Sequence, residues 1–109
     1  MDPTLENLYA QVLKMQCKNL TDNTTKVEMD PGSSLAFDSH YFGNLELNRG
    51  LLQSDAALLT NFASKPNVDN QRNQTEFFEN FKLSMQRMGE IELLTGSAGE
   101  IRKKCAFVN

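Results

Sequence analysis

The 109 residues include one histidine, two cysteines and three prolines, and they show neither an excess of positive charge nor a long apolar run. Each scarcity removes a class of function. The formal net charge is -3, and Lys and Arg are scattered except at Arg102-Lys103-Lys104. No basic stripe is present to neutralise a phosphate backbone, which argues against nucleic-acid binding. The longest apolar runs, such as Leu51-Leu52 and Ala56-Ala-Leu-Leu59, fall far short of the roughly 20 residues that span a bilayer, so a soluble chain is expected. His40, the one imidazole, would have to serve any Ser-His-Asp or Cys-His set, and no such set is expected. Gly96-Ser-Ala-Gly99 lacks the Lys and the preceding strand of a phosphate-binding loop.

The amino terminus, Met1-Asp-Pro-Thr-Leu-Glu, has an acid where a signal peptide carries basic residues, and no apolar stretch follows it. Export is not expected from these residues alone. Three acceptor sequons nevertheless occur, at Asn19, Asn23 and Asn73, and they have meaning only in the secretory pathway. A chain rich in Asn, Ser and Thr contains about one or two by chance, so they add little weight. Cys17 and Cys105 stand near opposite ends, and a bond between them would close almost the whole chain into a loop. Their number alone decides nothing. Buried or idle thiols are favoured over a mutual disulfide, and no second Cys or His lies within metal-ligand spacing of either.

At 39% hydrophobic residues the composition lies below the roughly 45–50% usual for globular proteins, and the length allows one small domain. The periodicity predicts helices. Asp2-Pro3 reads as a cap followed by Pro at the first helical position, and Leu5, Leu8, Tyr9, Val12 and Leu13 recur at helical spacing over about four turns. Residues 19–28 have the composition of a polar surface loop, and Pro31-Gly32 makes a turn. Asp38 or Ser39 caps a short helix that turns Tyr41, Phe42 and Leu45 inward and stops at Arg49-Gly50. Ser54 or Asp55 caps another through Leu58 and Leu59. A polar, mobile stretch with a weak helix around Val68 follows. Thr75 then caps the strongest helix, whose face of Phe78, Phe81, Met85 and Met88 reads as core rather than as a cofactor box, and Gly89 stops it. Ile91, Leu93 and Leu94 form a short extended segment before the Gly96 and Gly99 turns.

The candidate site lies in Asp30-Pro-Gly-Ser-Ser-Leu-Ala-Phe-Asp38 and in Gly50-Leu-Leu-Gln-Ser-Asp55. Calcium takes about six to eight hard oxygen ligands, and a loop bent back on itself can supply carboxylates, hydroxyls and carbonyls. Asp30, Ser33 and Asp38 could act together in this way. Their spacing does not match an EF-hand loop. On local chemistry alone Asp30-Pro-Gly is a solvent turn, and Asp38 and Asp55 are helix caps.

Taken with Met88-Gly89 and Thr95-Gly-Ser-Ala-Gly-Glu-Ile-Arg-Lys-Lys-Cys105, these segments arrive in an order that resembles the carboxyl-terminal third of the plant secretory, class III haem peroxidases. The resemblance covers Asp2 to Asn109 and implies a mainly α, haem-peroxidase-like helical fold with little or no β, present as one partial domain. It implies calcium ligands at Asp30, Ser33, Ala36 through its carbonyl, and Asp38, with the remaining ligands outside these residues. It implies that Asp55 accepts a hydrogen bond from the proximal histidine, fixing its tautomer and strengthening it as a donor to iron. Met29 falls where relatives pack a side chain against that imidazole. Cys17 and Cys105 would each pair with a cysteine in preceding sequence.

In a complete member haem b is oxidised by hydrogen peroxide, and two phenolic donors return the electrons one at a time. Secretion or vacuolar delivery and glycosylation go with the family. The proximal histidine and the distal His and Arg have no counterpart among the 109 residues, and His40 takes a variable surface position in the pattern Phe-Asp-x-x-Tyr. The expectation is therefore a catalytically incomplete portion that holds neither haem nor calcium well by itself, its other part supplied by the missing amino-terminal portion of the fold. The alternatives are a non-catalytic truncated chain and a small helical protein-binding module.

Overall fold

Five α-helices and one short 3-10 turn follow one another in the computed structural model, which describes residues 4–109. No strand occurs among the described residues, as the sequence predicts. They group into two units, the first ending at Glu79 and the second running Asn80–Asn109.

In the first unit, α1 spans Asn7–Gln16 and buries Tyr9 and Ala10. Its start differs from the predicted one. Asp2 and Pro3 lie outside the described residues, and Thr4 to Glu6 are not helical. Glu6 is held elsewhere: its N–H donates to the Asn48 carbonyl at 2.9 Å, and its carboxylate pairs with Arg49 at 3.1 Å. These long-range bonds fix the backbone just ahead of the helix in a non-helical conformation.

Residues 17–28 form the expected polar loop. Asp22 organises it by accepting the N–H groups of Lys18, Thr24 and Thr25 and the hydroxyls of both threonines. These donors, the Thr25 hydroxyl foremost, hold the Asp22 carboxyl well below the usual carboxylate range.

Three short helices pack against one another pairwise: α2 (His40–Glu46), α3 (Gln53–Thr60) and α4 (Lys65–Gln71). Leu45 of α2 and Val68 of α4 are buried, so the weakly predicted helix around Val68 contributes to the small core. Ser39 does not cap α2 with its side chain; its hydroxyl donates to the Arg72 carbonyl, and Asp38 receives the His40 N–H instead. The stop of α2 comes before Arg49-Gly50. Asn48 adopts φ 54°, its N–H donates to Leu45, and the Arg49 N–H donates to Asn44. That double bond pattern is a Schellman ending, with Asn taking the left-handed position more often held by Gly.

The longest helix, α5 (Gln74–Gly89), is capped by Asn73 rather than Thr75: Asn73 Oδ1 accepts the N–H groups of Thr75 at 3.0 Å and Glu76 at 3.3 Å. Its first turn meets the site loop through aromatics. Phe37 stacks on Phe78 at 5.5 Å and tilts against Phe77 at 5.2 Å, while Phe42 meets Phe77 edge-on. These are favourable offset and edge geometries.

In the second unit, α5 ends at Gly89 as predicted. The extended segment expected after it is broken by a turn in which Glu92 takes φ 51°. A 3-10 turn at Gly96–Ala98 follows, and the end of the chain is tied by Asn109, whose N–H and side chain reach Glu100 and Ile101.

Candidate functional site

Two clusters of polar side chains flank α2, and each contains residues singled out by the sequence. The first is built on Asp55. It is the third residue of α3 rather than its cap, and its side chain folds back over the helix start. There Oδ2 accepts the backbone N–H groups of Leu51 at 2.9 Å and Leu52 at 2.8 Å. The Leu52 N–H is one of the donors that a helix leaves without an internal partner, and the Leu51 N–H lies just ahead of it. The fold-back is close: a Cβ on Gly50 would lie 2.4 Å from the Asp55 Cβ, so only glycine fits there.

Asp55 is 6% exposed, and its Oδ1 accepts the hydroxyl of Tyr41 at 2.6 Å. Burial, first, and then this hydrogen bond hold the Tyr41 phenol well above its ordinary pKa, which keeps it a donor. The sequence placed Tyr41 inward as an apolar side chain and missed its hydroxyl. A signal was available, because a tyrosine among inward-facing Phe and Leu needs a partner for its polar end.

The second cluster occupies 28–44. Asp30-Pro31-Gly32-Ser33 forms the predicted turn, closed by the Ser33 N–H on the Asp30 carbonyl at 3.1 Å, with Gly32 at φ 96°. Pro followed by Gly is the pair that a type II turn requires. The Ser33 hydroxyl donates to Asp38 Oδ2, and Asp38 Oδ1 accepts the His40 N–H at 3.0 Å. Asp38 thus caps α2 while it faces Ser33. Those two donors, the hydroxyl first, lower its carboxyl below the ordinary value. Glu28 braces the turn from outside through the Gly32 N–H and the Ser34 hydroxyl. Met29, Asp30, Ser33 and Ala36 line one surface depression of about 440 Å³, and Met29 is half-exposed.

Asp30 points its Oδ1 at two groups of α2: Asn44 Nδ2 at 2.7 Å and His40 Nδ1 at 2.8 Å. His40 is therefore a surface histidine with a fixed partner, and the buried Asn44 also donates to the Pro31 carbonyl. The sequence signalled neither bond to Asp30. Among the described residues no group of three or more His, Cys, Asp or Glu is placed to hold a metal ion. The oxygens of Asp30, Ser33, Ala36 and Asp38 suit a hard cation in kind, and they are fewer than the about six to eight that calcium takes.

The remaining candidates stand apart. Cys17 and Cys105 are both free and exposed. Asn19 is exposed and accepts from the N–H and hydroxyl of Thr21, Asn23 is exposed, and Asn73 caps α5. No helix among the described residues is long and apolar enough to cross a membrane.

Comparison with known proteins adds the family. The family model described as Peroxidase matches residues 1–74. The chain is 51% identical over 112 residues to Peroxidase 1 of Oryza sativa subsp. japonica, an alignment that takes in 100% of this chain and 34% of the rice protein. It is 50% identical to Peroxidase 56 of Arabidopsis thaliana, over 99% of this chain and 33% of that protein. Peroxidase 39 of the same plant is also 50% identical, over 99% and 34%. The chain spans about a third of the length of the curated relatives it matches, and that third is a carboxyl-terminal portion of them. On a family match across most of its residues and half-identical relatives along its whole length, the chain belongs to the peroxidase family.

Proposed function

We propose that this chain is the proximal, carboxyl-terminal part of a single haem-peroxidase domain, one that reduces hydrogen peroxide while oxidising phenolic donors. The observation that carries the reading is Asp55: a buried carboxylate, fixed by two backbone N–H groups, that still has acceptor capacity for a donor from outside these residues. A carboxylate in that state suits a histidine whose far nitrogen must be held in one tautomer. Haem, when bound, supplies the oxidation by peroxide and the one-electron steps from phenols.

The chain's own part is to orient and to brace. Asp55 receives the imidazole N–H, and Met29 packs beside the ring. His40 is left out of the haem contacts, since its side chain is nearly half exposed at the surface. Asp30, the Ser33 hydroxyl, the Ala36 carbonyl and Asp38 give one side of a calcium site, which the rest of the domain completes. For the ion to enter, the Ser33 hydroxyl turns its proton away from Asp38 and presents a lone pair. Cys17 and Cys105 pair with cysteines of the amino-terminal part. Secretion brings glycosylation at Asn19, Asn23 and Asn73, and a glycan on the Asn73 amide nitrogen leaves Oδ1 free to cap α5.

The test is a haem titration with calcium present, read by the Soret band and by peroxide-dependent oxidation of guaiacol. The 109-residue chain alone is expected to give no specific shift and no turnover. Joined to the amino-terminal two thirds of the rice relative it is expected to give both, and Asp55→Asn is expected to lower turnover about 10–100-fold. A saturable one-to-one shift with turnover from the 109-residue chain alone would overturn the reading.

A further inference from the structure

We infer that Tyr41 is a positioning residue for the peroxidase reaction: its phenol shares Asp55 Oδ1 with the proximal imidazole and sets how strongly that oxygen accepts. The inference rests on the proposed role of Asp55 and goes beyond it to a second residue. A carboxylate offers about four lone-pair directions. Both directions on Oδ2 are taken by the Leu51 and Leu52 N–H groups, and one on Oδ1 is taken by Tyr41 at 2.6 Å. An incoming imidazole N–H therefore lands on Oδ1, beside the phenol.

Tyr41 is not needed merely to hold Asp55 in place. Two backbone hydrogen bonds and the close packing on Gly50 already do that. What the phenol adds is a third donor to a buried carboxylate, and in a low-dielectric site each donor draws negative charge toward itself. With charge drawn off, Oδ1 is a weaker acceptor, and the imidazole gains less anionic character. A less anionic imidazole donates less to iron and raises the ferric/ferrous potential, so Tyr41 and Asp55 act on that potential with opposite signs. Burial keeps the phenol protonated and able to donate.

The experiment uses the haem-loaded, full-length peroxidase that carries this chain as its carboxyl-terminal third. The readouts are the ferric/ferrous potential and the iron–imidazole stretching frequency of the ferrous form. Asp55→Asn is expected to raise the potential and lower the frequency. Tyr41→Phe, which keeps the ring and removes the donor, is expected to lower the potential and raise the frequency. Replacement of Tyr41 by 3-fluorotyrosine, a stronger donor of almost the same shape, is expected to move both in the opposite sense to Tyr41→Phe. A Tyr41→Phe shift in the same sense as Asp55→Asn, or no shift, overturns the inference, because a purely structural tyrosine would act through loss of Asp55. If Asp55→Asn itself moves neither readout, the assignment of Asp55 fails, and the inference falls with it.

Discussion

At the scale of single residues, two tyrosines show how little side-chain identity says about polar satisfaction. Tyr41 gives its hydroxyl to Asp55, whereas the hydroxyl of Tyr9 is buried with no hydrogen-bond partner among the described residues. Burial, and then the Asp55 charge, raise the Tyr9 pKa, so it too remains a phenol. A buried donor left unpaired costs about 1–3 kcal/mol, while a hydrogen bond to a charged group contributes about 1.5–3 kcal/mol. Removing the two hydroxyls should therefore have opposite effects. Tyr9→Phe is expected to leave stability unchanged or raise it by about 1 kcal/mol, and Tyr41→Phe to lower it by about 1.5 kcal/mol, both read from urea unfolding midpoints. Equal losses in the two variants would mean that Tyr9 has found a partner. From the sequence both residues read as inward-facing aromatics at helical spacing. Which of them meets an acceptor depends on the Asp55 side chain folding back over the start of α3, and no periodicity reports that. Asp55 and the turn at Asp30 to Ser33 were legible, because carboxylates and a Pro-Gly pair announce themselves by chemistry and by backbone need.

At the scale of elements, the helices were read more reliably than their ends. Apolar spacing locates a helical face, but a cap depends on which of several neighbouring polar residues wins a local competition. Around α5 the candidates are Asn73 and Thr75, and Asn73 wins because its carbonyl oxygen reaches two N–H groups at once. Around α2, Asp38 takes the cap while Ser39 is drawn to the Arg72 carbonyl 33 residues away. A tertiary bond has there overridden a local preference, just as Glu6 and its partners shortened α1. The assignment at α5 is open to a direct check. Asn73→Ala is expected to destabilise by about 1 kcal/mol and to increase amide exchange over Thr75 to Phe77, with Asn73→Ser recovering most of the loss. Thr75→Ala is expected to change stability by less than about 0.5 kcal/mol. A larger loss from Thr75→Ala than from Asn73→Ala would return the cap to threonine.

At the scale of the molecule, the sequence disclosed the helical class and the family but not the imbalance between core and surface. Tyr9, Ala10, Leu45 and Val68 are the buried apolar residues among those described, whereas Phe62, Leu20, Leu35 and Ile101 are almost wholly exposed. The α5 side chains Phe81, Met85 and Met88 keep about two fifths or more of their surface exposed. Helical spacing marked that α5 face as core, and spacing cannot say what covers a face. Exposed apolar side chains gathered on one helix face, as on α5, mark a surface that another surface meets. Relatives three times as long have further residues available for that purpose. The two parts should therefore recognise each other through burial of this surface. In sedimentation, the 109-residue chain alone is expected to self-associate as its concentration rises through the micromolar range, and to bind an anilinonaphthalene dye. Adding the amino-terminal two thirds of the rice relative is expected to abolish dye binding and give a one-to-one complex. Dilution should reverse the self-association, and salt should strengthen it, since it screens the repulsion between copies that each carry a net charge of -3 and leaves apolar contacts intact. A chain that stays monomeric and dye-free at every concentration would mean that the exposed apolar residues need no cover, and that the separated part is a stable module of its own.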